Sequence, residues 1–136
     1  MAARAVKLLT ILAWLVLAGI AVQAVLAGQG WFQDQNLISL HGGIGHGVLG
    51  LALATLALSL VARVGWGLVL LAGLLLFGLI GQTGLGYVGR RSGIALASSL
   101  HIPLGVGLFG LSVALALLIT LRVGVRAAPG VEDGSP

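Results

Sequence analysis

Cysteine is absent from this chain of 136 residues, and charged side chains are scarce, with three acidic and seven basic residues. Without cysteine the chain has no disulfide bond, thiolate metal site, iron–sulfur cluster or covalently attached c-type haem. The charged fraction is 7%, whereas soluble domains carry roughly 25%. The basic residues are scattered singly or as one pair, which gives no binding surface for nucleic acid.

Apolar side chains are abundant, at 59% of all residues. A soluble globule of this size leaves a large share of its surface exposed, so it could not hide so many apolar groups from water. A lipid bilayer removes that constraint, because the apolar exterior then faces hydrocarbon. The composition therefore predicts an integral membrane protein surrounded by lipid.

Apolar stretches long enough to cross a bilayer occur four times. In hydrocarbon the backbone must satisfy its own hydrogen bonds, and the stretches are too long for barrel strands, so each predicts a helix. We expect an all-α, four-helix transmembrane bundle within residues 1–126 and a disordered, Pro/Gly-rich tail at 127–136. The predicted spans are about 7–28, 37–62, 66–88 and 94–121.

An even number of spans places both termini on one side of the membrane. Five basic residues lie on that side, whereas Arg90 and Arg91 are the only ones on the other. The positive-inside rule then places both termini in the cytoplasm of a plasma-membrane protein, with the 29–36 and 89–93 connections outside. The five cytoplasmic residues are Arg4, Lys7, Arg63, Arg122 and Arg126.

The second and fourth spans contain an internal repeat. Residues 39–51, SLHGGIGHGVLGL, align with residues 99–111, SLHIPLGVGLFGL, at an offset of 60, and seven of thirteen positions match. Leucine and glycine matches carry little information in this composition. The alignment of His41 with His101 is informative, because the chain has only three histidines. The first and third spans are expected to share little similarity.

An offset of two spans makes the repeats parallel, two helices each, related by an axis along the membrane normal. His41 and His101 then lie at one depth near the outer face. Ionisable side chains inside a membrane are costly and are functional candidates by default. Two neutral imidazoles in apolar surroundings suit the two faces of a b-type haem, so both histidines are predicted metal ligands.

Further residues extend the predicted haem site. Gly45 and Gly105 each lie one turn deeper than a histidine, where a missing side chain lets a porphyrin contact the backbone. Arg90 and Arg91 are positioned to pair with haem propionates. Tyr87, near the same end of span three, is a candidate hydrogen-bond donor to the cofactor.

The three histidines can also be interpreted without a haem between His41 and His101. These two side chains could form interhelical hydrogen bonds or reach toward the interface. His46 begins a second H-x-x-x-G pattern and is an alternative metal ligand. It points about 140° away from His41 on a helix, and it aligns with Val106 in the repeat.

With its L-H-x-x-x-G openings on spans two and four, nearly the whole chain resembles small, uncharacterised four-span membrane proteins of actinobacteria and their relatives. It is also similar to one half of haem A synthase, in which the second and fourth helices of a four-helix half each bring a histidine to a haem. The resemblance implies that His41 and His101 correspond to that pair and that haem b is the cofactor.

Departures from haem A synthase limit what the resemblance implies. That family has a glutamate five residues before the histidine of helix two and an arginine just after it, whereas this chain has Asn36 and Gly42. The extracellular cysteine pair of that family is also missing. The resemblance therefore supports haem binding and argues against enzymatic oxidation of the haem methyl group.

The sequence thus favours a haem-binding membrane protein that transfers electrons or holds haem for another protein. The first alternative is a structural, accessory subunit of a larger membrane complex, since glycine-rich faces suit docking between helices. The second is a small transporter subunit, which would depend on histidines because no predicted span contains Asp or Glu. The partners expected are another membrane or redox protein, or further copies of the chain.

Overall fold

The structure is a computed structural model that describes the backbone of residues 2–127 and the side chains of residues 4–122. Within this part the chain forms four α-helices, each long and apolar enough to cross a membrane. The prediction of an all-α, multi-pass membrane protein is confirmed. The predicted tail lies, from residue 128 on, outside the described residues. The helices are α1 (Ala2–Phe32), α2 (Asn36–Val61), α3 (Trp66–Ser92) and α4 (Ala95–Ala127).

α1, α3 and α4 are longer than the apolar spans predicted from the sequence, whereas α2 has the predicted length and is displaced by one residue. α1 and α2 leave only residues 33–35 between them, and α3 and α4 leave only residues 93 and 94. Helical hydrogen bonds persist outside lipid, so a helix can continue beyond an apolar stretch until a turn stops it. Gly93 ends α3 in a left-handed conformation, with φ of 64°, which glycine adopts without strain.

The bundle has two distinct ends. The histidine end carries the connections at 33–35 and 93–94, and the terminal end carries the turn at 62–65 together with the start of α1 and the end of α4. Each helix packs antiparallel against two neighbours, in the cyclic order α1, α2, α3, α4. α2 and α4 lie across a diagonal, and in the described part of the chain none of their Cα atoms come within 8 Å of each other. These two parallel helices therefore bring their N-terminal halves to the histidine end.

The interior between the middle of the bundle and the terminal end is apolar. Three hydroxyl side chains are buried in it, those of Thr55, Ser59 and Ser112. Each donates its proton to a carbonyl of its own helix three or four residues earlier. The largest fully buried apolar side chains are Leu9, Val16, Leu75, Leu115 and Ile119.

The turn between α2 and α3 contains two residues with positive φ. Gly65 has a φ of 102° and Arg63 a φ of 50°. The guanidinium of Arg122, on α4, donates a hydrogen bond to the carbonyl of Val64 and joins the turn to the end of α4. The left-handed conformation suits glycine, whereas it strains a residue that has a Cβ. Arg63 is therefore a strained position.

The variant Arg63→Gly is expected to be more stable than Arg63→Ala by about 0.5 to 1 kcal/mol, because glycine relieves the left-handed strain and alanine retains it. Both variants remove the same charge, so their difference isolates the backbone effect. The measurement is the unfolding free energy of each variant in mixed micelles. Equal stabilities would show that the backbone at position 63 is not strained.

Candidate functional site

His41 and His101 meet inside the bundle near its histidine end. Their ring centres are 6.3 Å apart, and the ring planes cross at 63°. His41 lies five residues after the start of α2 and His101 six residues after the start of α4. Both therefore lie about 8 to 9 Å along their helices. The two residues share one depth, and both side chains are half-buried.

Each imidazole is held by a backbone carbonyl of the preceding helix. Nδ1 of His41 lies 3.0 Å from the carbonyl oxygen of Gln23 on α1, and Nδ1 of His101 lies 2.9 Å from that of Gln82 on α3. A carbonyl only accepts hydrogen bonds, so both Nδ1 atoms carry the proton and donate it. The Nε2 atom of each ring is left with a free lone pair, the form that binds a metal.

The carboxamides of the same two glutamines occupy the space beside Gly45 and Gly105. A Cβ at position 45 would lie 3.7 Å from Oε1 of Gln23, and one at position 105 would lie 2.9 Å from Nε2 of Gln82. Within the described residues, Nε2 of Gln23 and Oε1 of Gln82 are buried without a hydrogen-bond partner. Unpaired polar atoms in an apolar interior cost free energy. The carboxamides therefore offer polar groups that a guest molecule can engage.

The two glutamines belong to a pattern that α1 and α3 share. The pattern G-x-x-x-Q-x-x-L-x-x-x-G covers residues 19–30 in α1 and 78–89 in α3, at an offset of 59. The expectation that the first and third helices share little similarity overlooks this pattern. An offset of 60 places these helices one residue out of register and hides the pattern. Sliding the chain by 59 residues would have identified Gln23, which the sequence prediction missed.

The glycines of this pattern mark close crossings between helices. In each helix one glycine precedes the glutamine and one follows it. A side chain added at any of these four glycines would collide with the next helix. The contacted residues in α2 and α4 are 60 apart, as the histidines are. Each histidine is thus held between two close crossings of its helix pair. The contact pairs are Gly19 with Val48, Gly30 with Ile38, Gly78 with Leu108 and Gly89 with Ser98.

His46 lies apart from the pair, on the exterior of the bundle between α2 and α3. Its Nδ1 donates to the carbonyl of Gly42 at 2.8 Å, and its Nε2 accepts from the Tyr87 hydroxyl at 3.2 Å. The guanidinium carbon of Arg91 lies 5.1 Å from the centre of the Tyr87 ring. Tyr87 and Arg91, which were predicted for the haem site, therefore lie with His46. Arg90, the other predicted propionate ligand, is exposed in the last turn of α3.

The His41–His101 pair can offer a metal ion two nitrogen ligands. Among the side chains that the structure describes, no three histidine or acidic residues come together. A protein site for zinc uses three or four side chains. A metal held by His41 and His101 would therefore need ligands other than a third histidine or acidic side chain of the described residues.

Comparison of the chain with protein-family models, with curated proteins and with solved structures finds no match in any of the three. The similarity to one half of haem A synthase therefore stays a prediction. The function has to be inferred from the residues of the site and their geometry.

Proposed function

We propose that the protein binds one b-type haem between His41 and His101 and transfers electrons with it or holds it for another protein. The observation that carries the proposal is the 6.3 Å separation of the two ring centres. A metal–imidazole bond is about 2.0 to 2.1 Å long and the ring centre lies about 1.1 Å beyond the nitrogen, so two imidazoles that bind one ion can have centres up to about 6.2 to 6.4 Å apart.

The hydrogen bonds to the Gln23 and Gln82 carbonyls support the same assignment. Metal-bound histidines almost always donate their other ring N–H to a carbonyl, a carboxylate or water. Both histidines make this bond through Nδ1, so the form that binds a metal at Nε2 is preset in each. Interhelical hydrogen bonding explains the Nδ1 contacts alone. It does not explain why two such rings converge at this spacing.

A porphyrin accounts for a site with only two protein ligands. Its four nitrogens bind the iron, so the protein would need to supply only two further ligands, His41 and His101. When bound, the haem supplies one-electron exchange between ferric and ferrous iron. His41 and His101 would supply the nitrogens, the Gln23 and Gln82 carbonyls would orient them, and the surrounding helices would shield the site from water.

The glycines below the histidines would give the ring its space. Gly45 and Gly105 carry no side chain, and the carboxamides of Gln23 and Gln82 fill the gap beside them. One buried atom of each carboxamide has no hydrogen-bond partner within the described residues. Turning the carboxamides aside would break no hydrogen bond at those atoms, so a ring could take their place at low cost.

Arg90 and Arg91 would bind the haem propionates. Both lie in the last turn of α3, at the histidine end, and pairs of guanidinium and carboxylate groups are strong. The ring of Tyr87 lies under Arg91 and so positions its guanidinium. Tyr87 would act on the cofactor through this contact.

The proposal includes the organisation of the chain as two parallel two-helix repeats, α1–α2 and α3–α4. The patterns at offsets of 59 and 60 and the equivalent contacts of each histidine support it. The excess of basic residues at the terminal end supports cytoplasmic termini and a haem near the outer face of the plasma membrane. A redox partner would then exchange electrons on the outer side.

The alternatives have less support. A transporter subunit needs a polar path toward the terminal end, where the buried side chains of the described residues are apolar except for three hydroxyls. An accessory subunit needs no cofactor. This alternative gives no role to the Nε2 atoms of His41 and His101, which are in the form that binds a metal.

Titration of the purified, detergent-solubilised protein with haemin tests the proposal. We expect one equivalent per chain to give a b-type spectrum, with a sharp α-band after reduction with dithionite. Haemin in protein-free micelles of the same detergent is the control. A protein that leaves the spectrum of micellar haemin unchanged at every ratio would overturn the proposal.

A further inference from the structure

Gln23 and Gln82 each contribute two different groups to the proposed haem site. The backbone carbonyl of each accepts a hydrogen bond from Nδ1 of a histidine, and the carboxamide of each lies one turn deeper, beside Gly45 or Gly105. Every residue type has a backbone carbonyl, so the hydrogen bond to the histidine does not require glutamine. The presence of a glutamine side chain at both positions therefore needs an explanation of its own.

The two carboxamides are held weakly where they lie. Both glutamines are inside membrane helices, and within the described part of the chain Nε2 of Gln23 and Oε1 of Gln82 are buried without a hydrogen-bond partner. Packing against the neighbouring glycine favours this arrangement, whereas the unpaired polar atom opposes it, because a buried polar group without a partner costs free energy. The two effects oppose each other, so an arrangement with the carboxamides turned aside is accessible.

The carboxamides occupy the space that a porphyrin in contact with the two glycines would need. A Cβ at Gly105 would lie 2.9 Å from Nε2 of Gln82, so even a methyl group would fit only if the carboxamide moved. A Cβ at Gly45 would lie 3.7 Å from Oε1 of Gln23, which is van der Waals contact and leaves no room for a further layer of atoms. A ring against both glycines therefore has to displace both carboxamides.

We propose that the carboxamides of Gln23 and Gln82 compete with haem for its binding site and make the bound haem exchangeable. This regulation rests on the proposed haem function, because it acts at the same site. After release of haem the two side chains can fill the space, so the bundle is not left with a destabilising cavity. Exchangeable binding suits a protein that holds haem for another protein better than one that keeps its haem permanently.

Replacing each glutamine with alanine tests the competition. Gln23→Ala and Gln82→Ala keep the carbonyl that orients the histidine, and alanine favours a helix, so we expect both to fold and to give the b-type spectrum. Binding is weakened in proportion to the fraction of protein in the competent arrangement. A minor arrangement is populated to at most about 10%, so each variant should bind haemin about tenfold faster and tighter. The dissociation rate should not change.

Both rates can be measured in one detergent. Stopped-flow absorbance after mixing with micellar haemin gives the association rate, and transfer of haem to excess apomyoglobin gives the dissociation rate. The double variant should bind faster than either single variant, because a ring has to displace both carboxamides. A double variant no faster than the singles would overturn the proposal.

Two further variants are matched controls. Gln29→Ala removes a carboxamide from an exposed position of α1 and should bind haemin as the unaltered protein does. Gln23→Met removes the carboxamide but keeps the length of the side chain, which still fills the space, so it should bind no faster than the unaltered protein. A gain in either control as large as that in Gln23→Ala would overturn the proposal.

Other results separate this proposal from the proposed haem function. Faster dissociation from the alanine variants would overturn the competition, because the carboxamides would then retain the bound haem. Unchanged association and dissociation rates would overturn it as well. In both cases the protein still binds haemin, so the proposed haem function stands. Failure of the unaltered protein to bind haemin would overturn both proposals.

Discussion

Replacing either His41 or His101 with alanine is expected to abolish the b-type spectrum and to weaken haemin binding by more than about 100-fold. Loss of a group that only orients a metal ligand already costs about 10- to 100-fold, and each of these histidines is the proposed ligand itself. The two variants should behave alike, because each imidazole donates to a glutamine carbonyl of the preceding helix and the two lie at one depth. Haemin titration and the reduced spectrum provide the measurement.

Ser39→Ala and Ser99→Ala are the matched controls for the histidine variants. Each serine is exposed and lies two residues before one of the histidines, at equivalent positions of α2 and α4. Both variants should bind haemin as the unaltered protein does. His46→Val separates the two candidate ligands of α2. A spectrum that is lost in His46→Val and kept in His41→Ala would contradict the assignment of the axial pair.

The variant Gly19→Leu is expected to destabilise the bundle by about 3 kcal/mol, at the upper end of the usual cost of overpacking. A Cβ at position 19 would lie 2.6 Å from Cγ2 of Val48. Val48 is 3% exposed and stiff at χ1 because it is β-branched, so it cannot move aside. The leucine at position 19 would lie one turn from Gln23. It should therefore also loosen the hydrogen bond to His41 and weaken haemin binding.

Gly28→Leu adds the same side chain to the same helix at a position where a Cβ meets nothing within 4 Å. Its stability should be unchanged or higher by up to about 1 kcal/mol, because leucine forms helices better than glycine. The unfolding free energies of the two variants in mixed micelles provide the comparison. Equal stabilities would mean that α1 and α2 do not cross closely at Gly19.

The number and type of elements could be predicted because lipid imposes them. Hydrocarbon thickness sets the length of a span, and a backbone without water must form a helix. The helix ends could not be predicted in the same way. α1 continues to Phe32 and α3 to Ser92, beyond the apolar spans, because composition changes at the membrane surface while helical hydrogen bonds continue.

The candidate site could be predicted only in part. The repeat at an offset of 60 identified His41 and His101 and their common depth. Gln23 was missed because the two glutamines align at an offset of 59 and not of 60. The backbone carbonyl that each contributes is a group that no residue type reveals. Tyr87 was predicted beside the haem and lies against His46, since the rotation of two neighbouring helices decides which side chains meet at their seam.

The order of residues along the chain is enough to define four membrane helices and two histidines at one depth, because depth follows from counting residues at a constant rise per residue. Which way those histidines face is a separate matter. Only packing places α2 and α4 on a diagonal, turns both Nδ1 atoms toward carbonyls and leaves His46 outside. The rotation of a helix about its axis depends on where neighbours approach. Here the approach is set by glycines of α1 and α3 that admit side chains and backbone of the next helix.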